Sequence, residues 1–156
     1  MVNSILDLHP RDWPQYFVDL GHKKFYGKIA ARWVFQRGVY DWAEMTDLPA
    51  ALREQLASTP VLDTELIKAS HAEDGARKVL VKLADDSLVE AVCMPGTKGQ
   101  TICISTQVGC AVQCRFCASG MEGLKRNLTQ SEVLQQAFWM RREFGDFHRI
   151  VVMGMG

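Results

Sequence analysis

Cys110, Cys114 and Cys117 stand within eight residues of one another, spaced Cys-x3-Cys-x2-Cys. Thiolates are soft anionic ligands, and three on one loop can converge on a single metal centre. A structural zinc site takes four ligands, usually as two separated pairs. Cys103 or His148 would have to supply the fourth here. A 4Fe–4S cluster usually takes one thiolate per iron. Three cysteines then leave one iron open, as a catalytic centre needs in order to bind a small molecule. Disulfides are the weakest reading. Met1 to Arg11 carries Asp7, His9 and Pro10 and lacks a basic start followed by an apolar run, so no signal peptide is read. Five cysteines in such a chain point to a reducing compartment, the cytoplasm.

Other residues carry weaker signals. Glu90 shares a strand face with Leu88 and Val92, and a carboxyl among apolar neighbours suits acid/base work. Solvent exposure on a hairpin edge is the plainer alternative. Cys93 reads as a small buried apolar residue. Phe116, between two cysteines, either shields the metal site or merely packs. Lys23, Lys24, Lys28, Arg32 and Arg37 fall within fifteen residues that hold no Asp or Glu, interleaved with Phe25, Tyr26 and Trp33. That pattern suits phosphate contacts with aromatic stacking on unpaired bases. A solvated helix face over a core is the plainer reading of the same residues. Lys125 and Arg126 are either further contacts to RNA or cofactor, or ordinary surface charge.

The elements that must position these residues change character along the chain. The first third reads helical: Phe25 to Arg37 sets Ile29, Trp33 and Gln36 or Arg37 along one side and stops at Gly38, and a second helix starts near Pro49 and runs to about Ala57. Val79, Val81 and Leu83 then alternate with Lys78, Leu80 and Lys82, Asp85-Asp86-Ser87 is turn chemistry, and Leu88 to Met94 is extended, which together predict a hairpin. Thr101 to Thr106 reads as a strand leading into the cysteine loop. Thr129 and Glu132 form a capping box before a helix that buries Val133, Ala137, Met140 and Phe144, with Leu134 and Phe138 widening the stripe. Ile150 to Met153 is a buried-type strand. Strand, loop, helix and strand make a βαβ unit with parallel strands and a right-handed crossover. The loop then sits at the carboxyl end of a parallel strand, where α/β sites gather, and Gly154-Met155-Gly156 follows the next strand at that same end.

The chain has 156 residues, 47% of them apolar, and zero formal net charge, so there is a real core but no global electrostatic case for nucleic acid. No stretch approaches a membrane span, and no membrane partner is expected. The fold class expected is α/β, with residues 1–70 a helical accessory domain, 71–100 a hairpin connection and 101–156 the opening of a partial (β/α) barrel. A parallel pair with one helix cannot bury both sheet faces, so the chain reads as part of a longer domain or as one needing a partner.

The sequence Cys110-Ala-Val-Gln-Cys114-Arg-Phe-Cys117, with Gln107-Val108-Gly109 before it, Gly123-Leu124-Lys125-Arg126-Asn127-Leu128-Thr129 after it and Val151-Val152-Met153-Gly154-Met155-Gly156 beyond, resembles the RlmN/Cfr family of radical S-adenosylmethionine RNA methyltransferases. The resemblance reaches upstream through Asp74 to Lys78 and Gln36 to Val39, to about residue 20.

The resemblance implies that Cys110, Cys114 and Cys117 bind a 4Fe–4S cluster whose open iron holds S-adenosylmethionine. It implies a radical that activates a methyl group carried on a cysteine near the family's C-terminus, a cysteine not found in this chain. Cys103 matches the resolving cysteine, which forms a disulfide with the methyl-carrying one. Glu90 matches the proton acceptor. Gly156 matches the glycine of the family's Gly-Glu pair, in a segment that contacts the cofactor's methionine amine, and the Glu of that pair is not in this chain. The implied function is methylation at C2 of adenosine in 23S ribosomal RNA, with transfer RNA as a second substrate, an external one-electron reductant, and a monomer at full length. The N-terminal helices would dock RNA. Attack at C8 by a Cfr-like enzyme, a non-catalytic remnant that binds a cluster or RNA, and a zinc-binding RNA module are the alternatives.

Overall fold

The computed structural model describes residues 2–156. The chain divides into two units, one ending at Asp63 and one running from Thr64 to Gly156.

The first unit is helical. A 3-10 turn at Ile5–Asp7 is closed by a reciprocal box in which Ser4 and Asp7 cap each other's backbone. Helices α1 (Trp13–Asp19), α2 (Phe25–Ala31) and α3 (Ala50–Leu56) follow, and α2 continues as a π-wound turn, Arg32–Arg37. Gly38 ends that turn in the left-handed region, with φ 68°, and Pro49 caps α3, both as expected from sequence. The buried side of α2 differs from the expected one. Gly27, Ala30 and Val34 face the core, not Ile29 and Trp33. Size is the reason: a Cβ on Gly27 would stand 2.6 Å from the Pro14 backbone, so α1 and α2 cross where only bare backbone fits. Trp13, Phe17, Leu52 and Leu56 fill the rest of this core.

The second unit contains the strands β1 (Glu65–His71), β2 (Arg77–Lys82), β3 (Leu88–Met94), β4 (Thr101–Ile104), β5 (Gln107–Gly109), β6 (Leu124–Asn127) and β7 (Arg149–Val152), with helix α4 (Gln130–Phe144) between the last two. Five of them form one sheet in the order β1-β2-β3-β4-β7, with α4 against it. The first four pair antiparallel, and β4 with β7 is parallel, as the βαβ reading requires. Val79, Val81, Val89, Ala91 and Ile102 on one sheet face pack with Ala137, Met140 and Phe144 of α4. The class is therefore α/β. The hairpin is not a separate connection, because β3 pairs directly with β4 and joins the βαβ unit in one sheet. Residues 65–70, read from sequence as helical-domain chain, belong to strand β1 of this sheet.

The other two strands form a ribbon that the sequence pattern does not announce: β5 pairs antiparallel with β6 and makes the neck of the cysteine loop. Strand β4 ends at Ile104, short of the expected Thr106, because Ser105 bonds a side chain instead of a neighbouring strand. Among the described residues no helix is long and apolar enough to cross a membrane.

Candidate functional site

The site residues collect at the carboxyl ends of β4 and β7 and on the sheet face opposite α4. Cys103 lies on β4 opposite Val92 of β3 and Val151 of β7, so its half-buried thiol is on that open face. Glu90 lies two residues along β3 from Val92, on the same face by strand alternation. The register thus brings Glu90 and Cys103 together. The apolar setting expected for Glu90 is absent. Leu88 is open to solvent, and the Glu90 carboxylate is about half exposed and paired with Lys78 Nζ at 2.9 Å.

The cysteine loop springs from the β5–β6 neck. The Cys110 amide donates to the Gly123 carbonyl at 3.1 Å, and the Cys117 amide to the Cys114 carbonyl at 3.0 Å. Gly109, at φ 75°, lets the neck close, since a Cβ there would run into the Gly123 carbonyl oxygen. All three thiols are free and half-buried. The Cys110 thiol is drawn below its usual range, chiefly because the Val112 amide donates to the sulfur. Burial opposes this, and the Gly156 and Gln113 amides reinforce it. A thiol so placed favours the thiolate, the form that binds metal. Among the described residues no set of three or more His, Cys, Asp or Glu side chains is already gathered around one point. The donor chemistry, three free thiols on one short loop with Cys110 drawn toward the thiolate, fits an iron–sulfur cluster. Phe116 is almost fully exposed and neither shields nor packs.

The Gly-Met-Gly turn comes to the same place. The Met155 carbonyl accepts from the Thr106 and Gln107 amides at 2.8 and 3.0 Å, and the Met155 amide donates to Ser105 Oγ at 3.2 Å. Gly154 and Gly156 have no room for side chains: a Cβ on Gly154 would stand 2.7 Å from Ser105 Oγ, and one on Gly156 would strike Thr106. Bare backbone is therefore presented beside Cys110. Ser105 also donates to the Glu90 carbonyl at 3.0 Å, and Gln136 of α4 holds its backbone. Sequence reading missed both Ser105 and Gln136. The one available signal was a glutamine within the apolar stripe of α4.

A cavity of about 510 Å³ is lined by Asp86, Ser87 and Leu88 at the β2–β3 turn, by Met121 and Glu122 of the cysteine loop, by Lys125 of β6 and by Met155. The zinc alternative loses one ligand: His148 lies against Gly99, before β4 begins, while the cysteine loop follows the strand's other end. Cys93 is buried as expected, though its thiol is bonded to Gln100 at 2.8 Å. In the first unit Arg37 stacks over Trp33 at 4.1 Å and pairs with Asp47 at 3.4 Å. Lys23, Lys24, Lys28 and Arg32 are exposed, beside a half-exposed Phe25.

Residues 3–62 match the family described as the ribosomal RNA large subunit methyltransferase N-terminal domain. The chain is 44% identical over 144 residues to the dual-specificity RNA methyltransferase RlmN of Halorhodospira halophila, covering 90% of this chain and 40% of that protein. It is 45% identical over 144 residues to the probable dual-specificity RNA methyltransferase RlmN of Symbiobacterium thermophilum, covering 88% of this chain and 38% of that one. A radical SAM methyltransferase from Sphaerobacter thermophilus, solved by crystallography, superposes with a TM-score of 0.90 at 34% identity, over 98% of this chain and 47% of its own. The chain thus spans less than half the length of each.

Proposed function

The chain belongs to the RlmN family of radical S-adenosylmethionine RNA methyltransferases, and on that premise we propose that it carries the cluster loop of an enzyme methylating C2 of an adenosine in 23S ribosomal RNA, with transfer RNA as a second substrate. The observation that carries this reading is the meeting of the cysteine loop with the glycine turn after β7: the Met155 carbonyl accepts the Gln107 amide at the root of the loop's neck at 3.0 Å, and the Gly156 amide is among those that draw the Cys110 thiol below its usual range. A cofactor held on an open iron would find bare backbone amides next to it.

In this reading Cys110, Cys114 and Cys117 hold a 4Fe–4S cluster. The cluster and S-adenosylmethionine would supply one-electron reductive cleavage of a sulfonium, with the electron from an external reductant. The remaining roles fall to residues of this chain. The Val112, Gln113 and Gly156 amides favour Cys110 as a thiolate ligand. Cys103, a free thiol on the open sheet face, would resolve a protein–RNA adduct by attacking the sulfur of a second cysteine joined to the RNA base through the transferred carbon, the S–S bond forming as that S–C bond breaks and its electron pair passes to the base. Glu90, on that same face, is the proton acceptor. Lys23, Lys24, Lys28 and Arg32 offer RNA phosphates a cationic face, and the setting is cytoplasmic. The helical unit, the hairpin strands and the βαβ unit divide these tasks between RNA docking and chemistry.

Anaerobic reconstitution with iron and sulfide tests the centre. We expect about four irons per chain, a Mössbauer pattern in which one iron changes on adding S-adenosylmethionine, and loss of that iron in Cys110→Ala, Cys114→Ala and Cys117→Ala but not in Cys103→Ala. Stoichiometric zinc without iron uptake would sink the reading. The finer claim is tested by mass spectrometry of adenosines in 23S and transfer RNA: methyl at C8 rather than C2 refutes the regiochemistry.

A further inference from the structure

We propose that Arg126 is a positioning residue that locks the neck of the cysteine loop to the β2–β3 turn and to the first turn of α4, and so sets the pose in which the three thiols are presented. This rests on the loop being the working centre of the proposed function. The neck needs an anchor. Strands of three and four residues in an isolated ribbon are not stable by themselves in water. Everything between Cys110 and Gly123 hangs from it.

Arg126 supplies the anchor from the middle of β6. Its Nη1 donates to Glu132 Oε2 at 2.8 Å and its Nη2 to Glu132 Oε1 at 2.7 Å, a two-pronged pair. Its Nε donates to Asp85 Oδ2 at 2.8 Å, and Nη1 also reaches the Asn127 carbonyl at 3.2 Å. Only a planar guanidinium can make these contacts at once.

Both anchors are themselves fixed. Glu132 is the third residue of α4, and its Oε2 accepts the Thr129 amide at 2.8 Å in the capping box. Asp85 Oδ1 accepts the Ser87 amide at 3.1 Å within the turn. The neck is therefore tied to two preformed elements of the main sheet unit. Burial strengthens the tie: the Glu132 side chain is only 13% exposed and that of Arg126 33%, so water screens the pair less than an open one. Lys125, one residue earlier, is the contrast. It is 60% exposed, and among the described residues its ion pair is with Glu122, inside the loop itself. The residues next to Asp85 and Arg126 also form facing walls of the 510 Å³ cavity, Asp86 to Leu88 on one side and Lys125 on the other. The strut thus fixes the cavity's width as well as the loop.

Amide hydrogen exchange on the metal-free chain tests the strut independently of any cluster. In Arg126→Met and in Asp85→Asn we expect the Cys110 amide and the β5–β6 amides to exchange roughly tenfold faster or more, with the Ile102 and Cys103 amides of β4 unchanged. Arg126→Lys keeps the charge but cannot make the fork, and should not restore protection. In reconstituted protein, the electron paramagnetic resonance signal of the reduced cluster should broaden in Arg126→Met at unchanged iron content. Uniform acceleration across β4 and α4, unchanged exchange at Cys110, or full rescue by Lys would overturn the proposal. Failure of the wild-type chain to take up iron would instead defeat the proposed function and leave the exchange result standing.

Discussion

Gln136 bonds both backbone groups of Ser105: the Ser105 amide donates to Oε1 at 2.9 Å, and Nε2 donates to the Ser105 carbonyl at 3.0 Å. A helix side chain thus replaces a neighbouring strand at the end of β4. It frees the Ser105 hydroxyl to bridge the Glu90 carbonyl and the Met155 amide, which joins the sheet to the glycine turn. Both Gln136 and Ser105 are buried. Replacing Gln136 with Leu leaves two buried backbone groups unpaired, each worth roughly 1–3 kcal/mol. The expected loss of stability is about 3 kcal/mol by urea denaturation. A loss within error of zero would mean that water takes over both bonds.

The carboxylates around Arg126 predict acid sensitivity. The Arg126 guanidinium holds Asp85 well below the ordinary carboxylate range. For Glu132 burial pushes the carboxyl up, but the Arg126 and Thr129 donors outweigh it and the net direction is down. A carboxyl whose folded value is depressed contributes stability above its unfolded value, and loses it as pH falls through the folded one. Stability of the second unit should therefore hold down to about pH 4 and then decline steadily toward lower pH. Arg126→Met should be less stable near neutrality and flatter with pH across that acidic window. Denaturation midpoints measured from about pH 2.5 to 7 check this, and parallel curves for the two proteins would contradict it.

Much of this architecture is legible in the residues. Thr129 and Glu132 mark the start of α4, Pro49 the start of α3, Gly38 the end of the α2 extension, and Val79 with Val81 the inward face of β2. The setting of Glu90 is not, because β3 carries apolar residues on both faces: Val89, Ala91 and Cys93 point to α4, while Leu88 and Val92 point away. Parity alone cannot choose between two apolar sets. Strand β1 lacks any alternation to read, being mostly exposed, and is held by pairing with β2. The β5–β6 neck is set by loop closure and by Arg126, not by strand propensity. Gln135 and Gln136 escape a hydrophobic pattern because their burial is compensated by specific partners, Thr64 and Ser131 for the first and Ser105 for the second.

The cationic face of the first unit gives a salt-dependent prediction. Lys23, Lys24, Lys28 and Arg32 make no side-chain ion pair among the described residues, whereas Arg37 is spent on Trp33 and Asp47. Reversing Lys23 and Lys24 to Glu should weaken binding to single-stranded RNA and reduce the slope of log affinity against log salt by roughly 1.4 or more, since each phosphate left without its cation takes about 0.7 off that slope. Arg37→Gln should change the slope little and instead lower stability. Fluorescence anisotropy at several salt concentrations separates the two. Equal effects from both would show that the face is not where RNA binds.

Gly109 and Gly145 both have positive φ, 75° and 83°, yet alanine should affect them very differently. A Cβ on Gly145 meets nothing within 4 Å, so Gly145→Ala carries only the backbone cost of a glycine-type conformation, roughly 1–3 kcal/mol. A Cβ on Gly109 runs into the Gly123 carbonyl oxygen, the same atom that accepts the Cys110 amide. It cannot be relieved by rotating a side chain, because backbone stands on both sides. Gly109→Ala must therefore open the neck, breaking the Cys110–Gly123 bond and releasing the loop at the residue whose thiolate the Val112 and Gly156 amides support. Iron uptake on reconstitution should fall sharply in Gly109→Ala and stay near wild type in Gly145→Ala, even where the two lose similar global stability. If both variants bind iron equally well, the neck does not control how the thiols are presented.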